Sequence, residues 1–320
     1  MPKYKIAGWL TAAIIALGLL MFRGLDVGDR PVASHRQEAR VARPASAAAP
    51  AASVPLRSVS IEQGASAAER QTLRETWNAA FRRAYSEPWA QTMHRAASSG
   101  QAPELAAARR VQLVCVASYM PAQVRGKWPK ASEADLRRAE ALERHCDAQG
   151  QYRQLTSQLT AAARSLPTST VASRLAGKDQ EPLDVQARLE VMRYALSTGS
   201  APLLDYAASK FASPEVLIQL GLTPNPKLPA EFDLHLVQWA ASVMACEEMG
   251  NCGSETLQSN SCLDTDDCVA NFADYPAMHI YGPNRKGGFF LTYRSIDIAQ
   301  TKARWDLVKA WAQAQLSASL

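Results

Sequence analysis

The side chains with the clearest chemical potential are six cysteines, five histidines and a set of carboxylates in the second half of the chain. The cysteines are Cys115, Cys146, Cys246, Cys252, Cys262 and Cys268. An even count suits three disulfides in an oxidising compartment. Cys115 and Cys146 stand apart from the others and are expected to pair. A loop of that length contributes about 3–4 kcal/mol in the chain-entropy picture. The other four make two C-x5-C pairs, 246/252 and 262/268, where local pairing is expected. A zinc site and free buried thiols are the alternatives. Structural zinc pairs carry about two to four intervening residues, so this spacing argues against metal.

The histidines are His35, His94, His145, His235 and His279, and none has a histidine partner at metal-binding spacing. His145 adjoins Cys146, which matters chemically only if that cysteine is a free thiol. His235 and Glu247 are expected on one helix but about 18 Å apart, too far for a direct dyad. Glu248 and His279 could meet only through tertiary structure. Asp264-Thr265-Asp266-Asp267 resembles a calcium loop, yet Cys268 and Val269 stand where an oxygen ligand and glycine are needed. The segment Gly282-Pro283-Asn284-Arg285-Lys286-Gly287-Gly288 lacks the Lys-Ser/Thr ending of a phosphate loop. H-E-x-x-H, G-x-S-x-G and C-x-x-C are absent. No cofactor and no metal is expected. One enzymatic alternative survives. A glycosidase needs only two carboxylates flanking a cleft, and Glu247, Glu248, Asp264, Asp266 and Asp274 are the candidates for it.

These residues need a scaffold, and the composition points to helices. The chain has 320 residues, 47% of them apolar and 20% charged, with only 16 glycines, which suits a packed helical core. Leu73, Trp77, Ala80, Phe81, Ala84 and Tyr85 form an amphipathic stripe. Trp77, Phe81, Tyr85 and Trp89 share one helix face and are read as core rather than as a ligand platform. Pro88 closes that helix or opens the next, which runs to Gly100. A helix from Pro103 is expected to reach about Met120, before Pro121, Gly126 and Pro129 break the chain. Ser132 then caps a helix running to about Gln149. Further helices are predicted near 151–165, 183–198, 202–211, 214–220, 230–249 and 295–316. Phe289-Phe290-Leu291-Thr292-Tyr293 is the one strand candidate.

Residues 97–108 (ASSGQAPELAAA) and 196–207 (LSTGSAPLLDYA) match at six positions. The shared Gly100/Gly199 and Pro103/Pro202 end one helix and start another, the chemistry of an antiparallel αα-hairpin. Repetition of such hairpins and convergent hairpin chemistry both remain open.

The organisation along the chain is expected in three parts. Residues 1–23 hold the uncharged run 6–22, about 25 Å long as a helix, behind Lys3 and Lys5. Arg23, Asp26 and Asp29 follow it instead of small cleavage-site residues. That favours an uncleaved signal-anchor over a cleaved signal peptide. Residues 24–60, rich in alanine and proline, read as a flexible tether. Residues 61–320 form the all-helical body. Seven of the 35 basic residues and three of the 30 acids lie within residues 1–45, so the remainder is close to neutral. A nucleic-acid partner is therefore not expected. The basic residues before and after the apolar run nearly balance, so cysteine usage decides orientation, with the body in the periplasm.

The segment Ala245-Cys246-Glu247-Glu248-Met249-Gly250-Asn251-Cys252-Gly253, followed by Cys262 and Cys268, resembles a loose group of uncharacterised bacterial envelope proteins. So does His145-Cys146-Asp147. These are helical proteins with a leader and a Cys…Gly…Cys-Gly segment, and the likeness covers about residues 180–270. It implies an exported, cystine-bearing helical body and carries no activity. The expectation is thus an all-α, disulfide-stapled protein of αα-hairpins, held on the inner membrane by residues 6–22. Its expected role is to bind or scaffold another envelope protein. An envelope hydrolase and a secreted effector or its immunity partner are the alternatives.

Overall fold

Ser66 begins the first helix for a local reason. Its hydroxyl accepts from the Glu69 backbone N–H at 3.3 Å, and the Glu69 carboxylate accepts from the Ser66 N–H at 2.7 Å. This reciprocal capping box starts α1 (Ala67–Ser86). Pro88, without an N–H to leave orphaned, precedes α2 (Trp89–Ser99). Gly100 ends α2 in the left-handed conformation (φ 59°) and donates its N–H to the Ala96 carbonyl at 3.1 Å. Helix α3 (Ala102–Val124) follows.

The second copy of the shared motif behaves alike. Helix α7 (Val185–Ser197) gives way to Gly199 at φ 67°, and Ser200 then caps α8 (Ala201–Phe211) by accepting from the Leu203 N–H. Pro103 and Pro202 each take the second position of the helix they open. The other helices are α4 (Glu133–Cys146), α5 (Tyr152–Ser165), α6 (Val171–Leu175), α9 (Pro214–Gln219), α10 (Ala230–Met249) and α11 (Ile298–Ser317). A 3-10 turn (Phe272–Asp274) and a π-turn (Pro276–Ile280) lie between α10 and α11.

The structure is a computed structural model that describes residues 66–124, 133–147, 150–167, 170–177, 183–253, 269–282, 293 and 295–318. It is all-helical among these residues, and an antiparallel bridge joins Gly253 to Asn271. The described residues belong to one unit, Leu56–Leu320. Its centre is α8, in which Ala201–Ala208 and Phe211 are all buried. Helices α1, α3, α7 and α10 pack around it, and α11 lies against α10. The aromatic stripe is core, as expected: Trp77, Phe81, Tyr85 and Trp89 are all buried.

Two disulfides staple these helices. Cys115 on α3 bridges to Cys146 at the end of α4, with Cα atoms 5.3 Å apart. Cys246 bridges to Cys252, Cα atoms 4.9 Å apart, across the end of α10. There Gly250 takes φ 69° and the Asn251 N–H donates to the Cys246 carbonyl at 3.0 Å. The bridge therefore closes around the helix's own C-terminal turn. Cys262 and Cys268 lie outside the described residues.

Two details differ from the sequence expectations. Helix α3 continues past Pro121 to Val124. A proline costs a helix its own N–H and the carbonyl bond four residues back, so near a C-terminus little is lost. Helix α6 was not anticipated. Its five residues depend on Thr170, whose hydroxyl accepts from the Ser173 N–H. The apolar run 6–22, the tether 24–60, the acidic run 264–268 and the loop residues 283–288 lie outside the described residues; of the strand candidate 289–293 only Tyr293 is described, and it is helical rather than extended. Among those described, no helix is long and apolar enough to cross a membrane.

Candidate functional site

The structure spends its buried carboxylates on arginines. Asp205, in the centre of α8, accepts from Arg110 of α3 through Nε at 2.7 Å and Nη2 at 3.0 Å, and also from the Ser242 hydroxyl of α10. Burial pulls the Arg110 guanidinium down; Asp205, with Tyr85, outweighs it and holds the group above its ordinary range. Asp233 of α10 pairs with Arg304 of α11, whose Nη2 also reaches the Thr223 carbonyl at 2.6 Å. Glu104 at the start of α3 accepts from Arg83 and Arg95 of the two preceding helices. Each pair crosses between elements, so each fixes how its helices sit.

Glu248, partly buried, is engaged in the same way. Its carboxylate accepts from Arg74 Nε at 2.8 Å, Asn78 Nδ2 at 2.8 Å and the Ala201 backbone N–H at 2.8 Å. Asn78 in turn accepts from the Ser200 hydroxyl at 2.6 Å. Glu248 thus ties α1, α10 and the positive N-terminal end of α8. Glu247, the next residue round the helix, is half exposed and lies 3.7 Å from Lys309 of α11. Asp274 is exposed on the 3-10 turn. The groove beside Lys227, Glu231 and Tyr293 and the groove along Tyr152–Arg164 are lined by none of these three acids; Asp264 and Asp266 lie outside the described residues.

The histidines are equally dispersed. His94 is exposed. His235 Nδ1 donates to the Glu231 carbonyl one turn back at 2.8 Å. His145, beside the Cys115–Cys146 bridge, is pushed down to about 4 by burial. His279 is buried in the π-turn with its ring 4.9 Å from that of Tyr275. No cluster of three His, Cys, Asp or Glu side chains converges among the described residues.

One surface has a different character. A groove of about 430 Å³ runs along α5, and its described lining is Tyr152, Arg153, Thr156, Ser157, Thr160, Ala161 and Arg164. Behind it stand Arg109 and Gln112 of α3. Arg109 Nη2 donates to the Thr160 hydroxyl at 2.8 Å, and its Nη1 donates to the Gln112 side-chain carbonyl at 3.1 Å. Gln112 Nε2 donates to the Thr156 hydroxyl at 3.1 Å and lies 3.5 Å from the Tyr152 hydroxyl. Burial lowers the Arg109 guanidinium, with Tyr206 and Tyr152 working against that. Gly177, at φ 83°, makes room for Arg109, since a Cβ there would stand 3.3 Å from Arg109 Nε.

Arg74, Arg95, Arg110 and Arg304 each meet a carboxylate, whereas the hydrogen-bond partners of Arg109 are neutral. Sequence reasoning missed these residues. Arg109 and Arg110 are adjacent and chemically identical in sequence, and only the fold sends one to Asp205 and the other to the groove. The chain matches no known family model, no curated protein and no solved structure.

Proposed function

We propose that this chain is a membrane-tethered periplasmic protein whose body binds another envelope protein. Residues 6–22 would hold it on the inner membrane and residues 24–60 would give it reach. Helices arranged as αα-hairpins would present the binding surface. The observation that carries this reading is the fate of the buried and partly buried carboxylates. Glu104, Asp205, Asp233 and Glu248 are each taken up by arginines from another helix. Hydrolysis of an envelope glycan needs two carboxylates facing one cleft, whereas Glu248 is taken up by Arg74, Asn78 and the Ala201 N–H and Glu247 faces Lys309. A helical body with an open groove along α5 suits docking. The two bridges, Cys115–Cys146 and Cys246–Cys252, agree with an oxidising compartment.

The test is crosslinking of the full chain in intact cells, followed by denaturing purification through a C-terminal tag. A discrete envelope protein should be recovered with the full chain and lost when residues 1–23 are replaced by a cytoplasmic leader. Recovery of no specific partner contradicts the reading.

A further inference from the structure

The two bridges among the described residues differ in their surroundings. Cys115, Cys146 and Cys246 are each at most 1% exposed, whereas Cys252 is only partly buried. Disulfide exchange begins when a thiolate reaches one of the sulfurs, so access decides which bridge opens in the folded protein. The bridges also differ in span. Cys115 and Cys146 are 31 residues apart in sequence, Cys246 and Cys252 only 6. Closing the shorter loop takes less freedom from the unfolded chain, so less stability opposes its opening. Access and span thus single out the same bridge.

The place of the Cys246–Cys252 loop gives its opening a consequence. The loop encloses Glu248, whose carboxylate accepts from Arg74 and Asn78 of α1 and from the Ala201 N–H that starts α8. Beyond it, the Cys252 carbonyl accepts from the Phe272 N–H at 2.7 Å, and Gly253 bridges to Asn271. One cystine therefore stands where α1, α8, α10 and the 3-10 turn are joined. The loop also holds a weak point. The Asn251 side-chain oxygen is buried there with no hydrogen-bond partner, a cost that admitting water removes. The turn has a second support besides sulfur, since the Gly250 and Asn251 N–H groups both donate to the Cys246 carbonyl. Those bonds do not need the S–S bond.

We propose that Cys246–Cys252 is a redox-sensitive latch: an external thiolate opens it while Cys115–Cys146 stays closed, and opening loosens the hold of Glu248 on α1 and α8. The thiolate attacks Sγ of Cys252. A mixed disulfide forms there as the bond to Cys246 breaks, and Cys246 leaves as a thiolate that takes a proton from water. A second external thiolate attacks the external sulfur of the mixed disulfide. Cys252 then leaves as a thiolate, which is protonated in turn, and one external disulfide is released. The cystine gains two electrons and two external thiols supply them. The resting protein carries the latch closed. The inference does not depend on the partner-binding reading.

The test is reduction of the purified full chain in detergent micelles by graded glutathione, with acid quenching, maleimide alkylation and peptide mapping. Cys246–Cys252 should open about tenfold or more faster than Cys115–Cys146. Its rate should rise in proportion to thiol and stay unchanged in dilute urea. Cys115–Cys146 should open through unfolding, at a rate that climbs with urea. Hydrogen exchange then reads the consequence. The Ala201 amide, which donates to Glu248, should exchange about tenfold or more faster once the latch is open, while the Val111 amide in the middle of α3 keeps its protection. Cys246→Ser with Cys252→Ser should show the same fast Ala201 exchange with no thiol added. If that double variant fails to fold, the exchange of the glutathione-opened parent decides the matter. Opening of both bridges at one rate, opening of Cys115–Cys146 first, or unchanged Ala201 exchange with the latch open overturns the proposal. The crosslinking experiment is indifferent to these outcomes, so failure here leaves partner binding standing.

Discussion

Asp205 and Arg110 show how one buried charge can set the arrangement of three helices. The carboxylate lies in α8 among leucines and alanines, and it is tolerable there because a guanidinium from α3 and a hydroxyl from α10 surround it. Asp205→Asn would leave Arg110 buried beside a neutral group. It is expected to cost about 3–5 kcal/mol in urea unfolding. The joint replacement Asp205→Leu with Arg110→Met should cost much less, because no charge is then left alone. His145 makes a separate, pH-dependent contribution. Its folded value lies near 4, below the ordinary histidine value of 6.5, so the unfolded chain binds the proton more readily. Stability is therefore fully present above pH 6.5 and falls as pH drops toward 4, by an amount on the order of 3 kcal/mol. His145→Gln should remove that part of the acid sensitivity in melting curves recorded across this range, and an unchanged pH profile would show that His145 is not its source.

Most of the elements were readable before the structure because their signals are local. Gly100 and Gly199 end helices in the left-handed conformation, and the apolar stripe of α1 lies in the core. Both disulfides among the described residues pair as the cysteine spacing suggested. What sequence could not give was long-range pairing. Arg74 meets Glu248 and Arg304 meets Asp233 across large sequence separations, and nothing local encodes either. The bonds from Arg109 and Gln112 to Thr160 and Thr156 were illegible for the same reason, since they need α3 packed on α5. At this scale the bridges carry a clear expectation. Replacing Cys115 and Cys146 by serine should cost about 3 kcal/mol, and replacing Cys246 and Cys252 about 2 kcal/mol, following the shorter loop. Urea unfolding of the two double variants checks the order. An equal or reversed order would mean that loop closure is not the main effect.

At the scale of the molecule, residues 46–320 are near neutral and the excess base lies in residues 1–45, which fits the proposed binding of a protein partner better than attachment to nucleic acid. That picture depends on where the body sits, since the cytoplasm keeps thiols reduced. The most direct measurement is acid quenching of whole growing cells, followed by alkylation with a maleimide polymer and a gel of the full chain. The account predicts that Cys115, Cys146, Cys246 and Cys252 resist alkylation until reductant is added after quenching. Immediate alkylation of all four, in cells whose known periplasmic disulfides stay protected, would place the body in a reducing compartment and contradict the account.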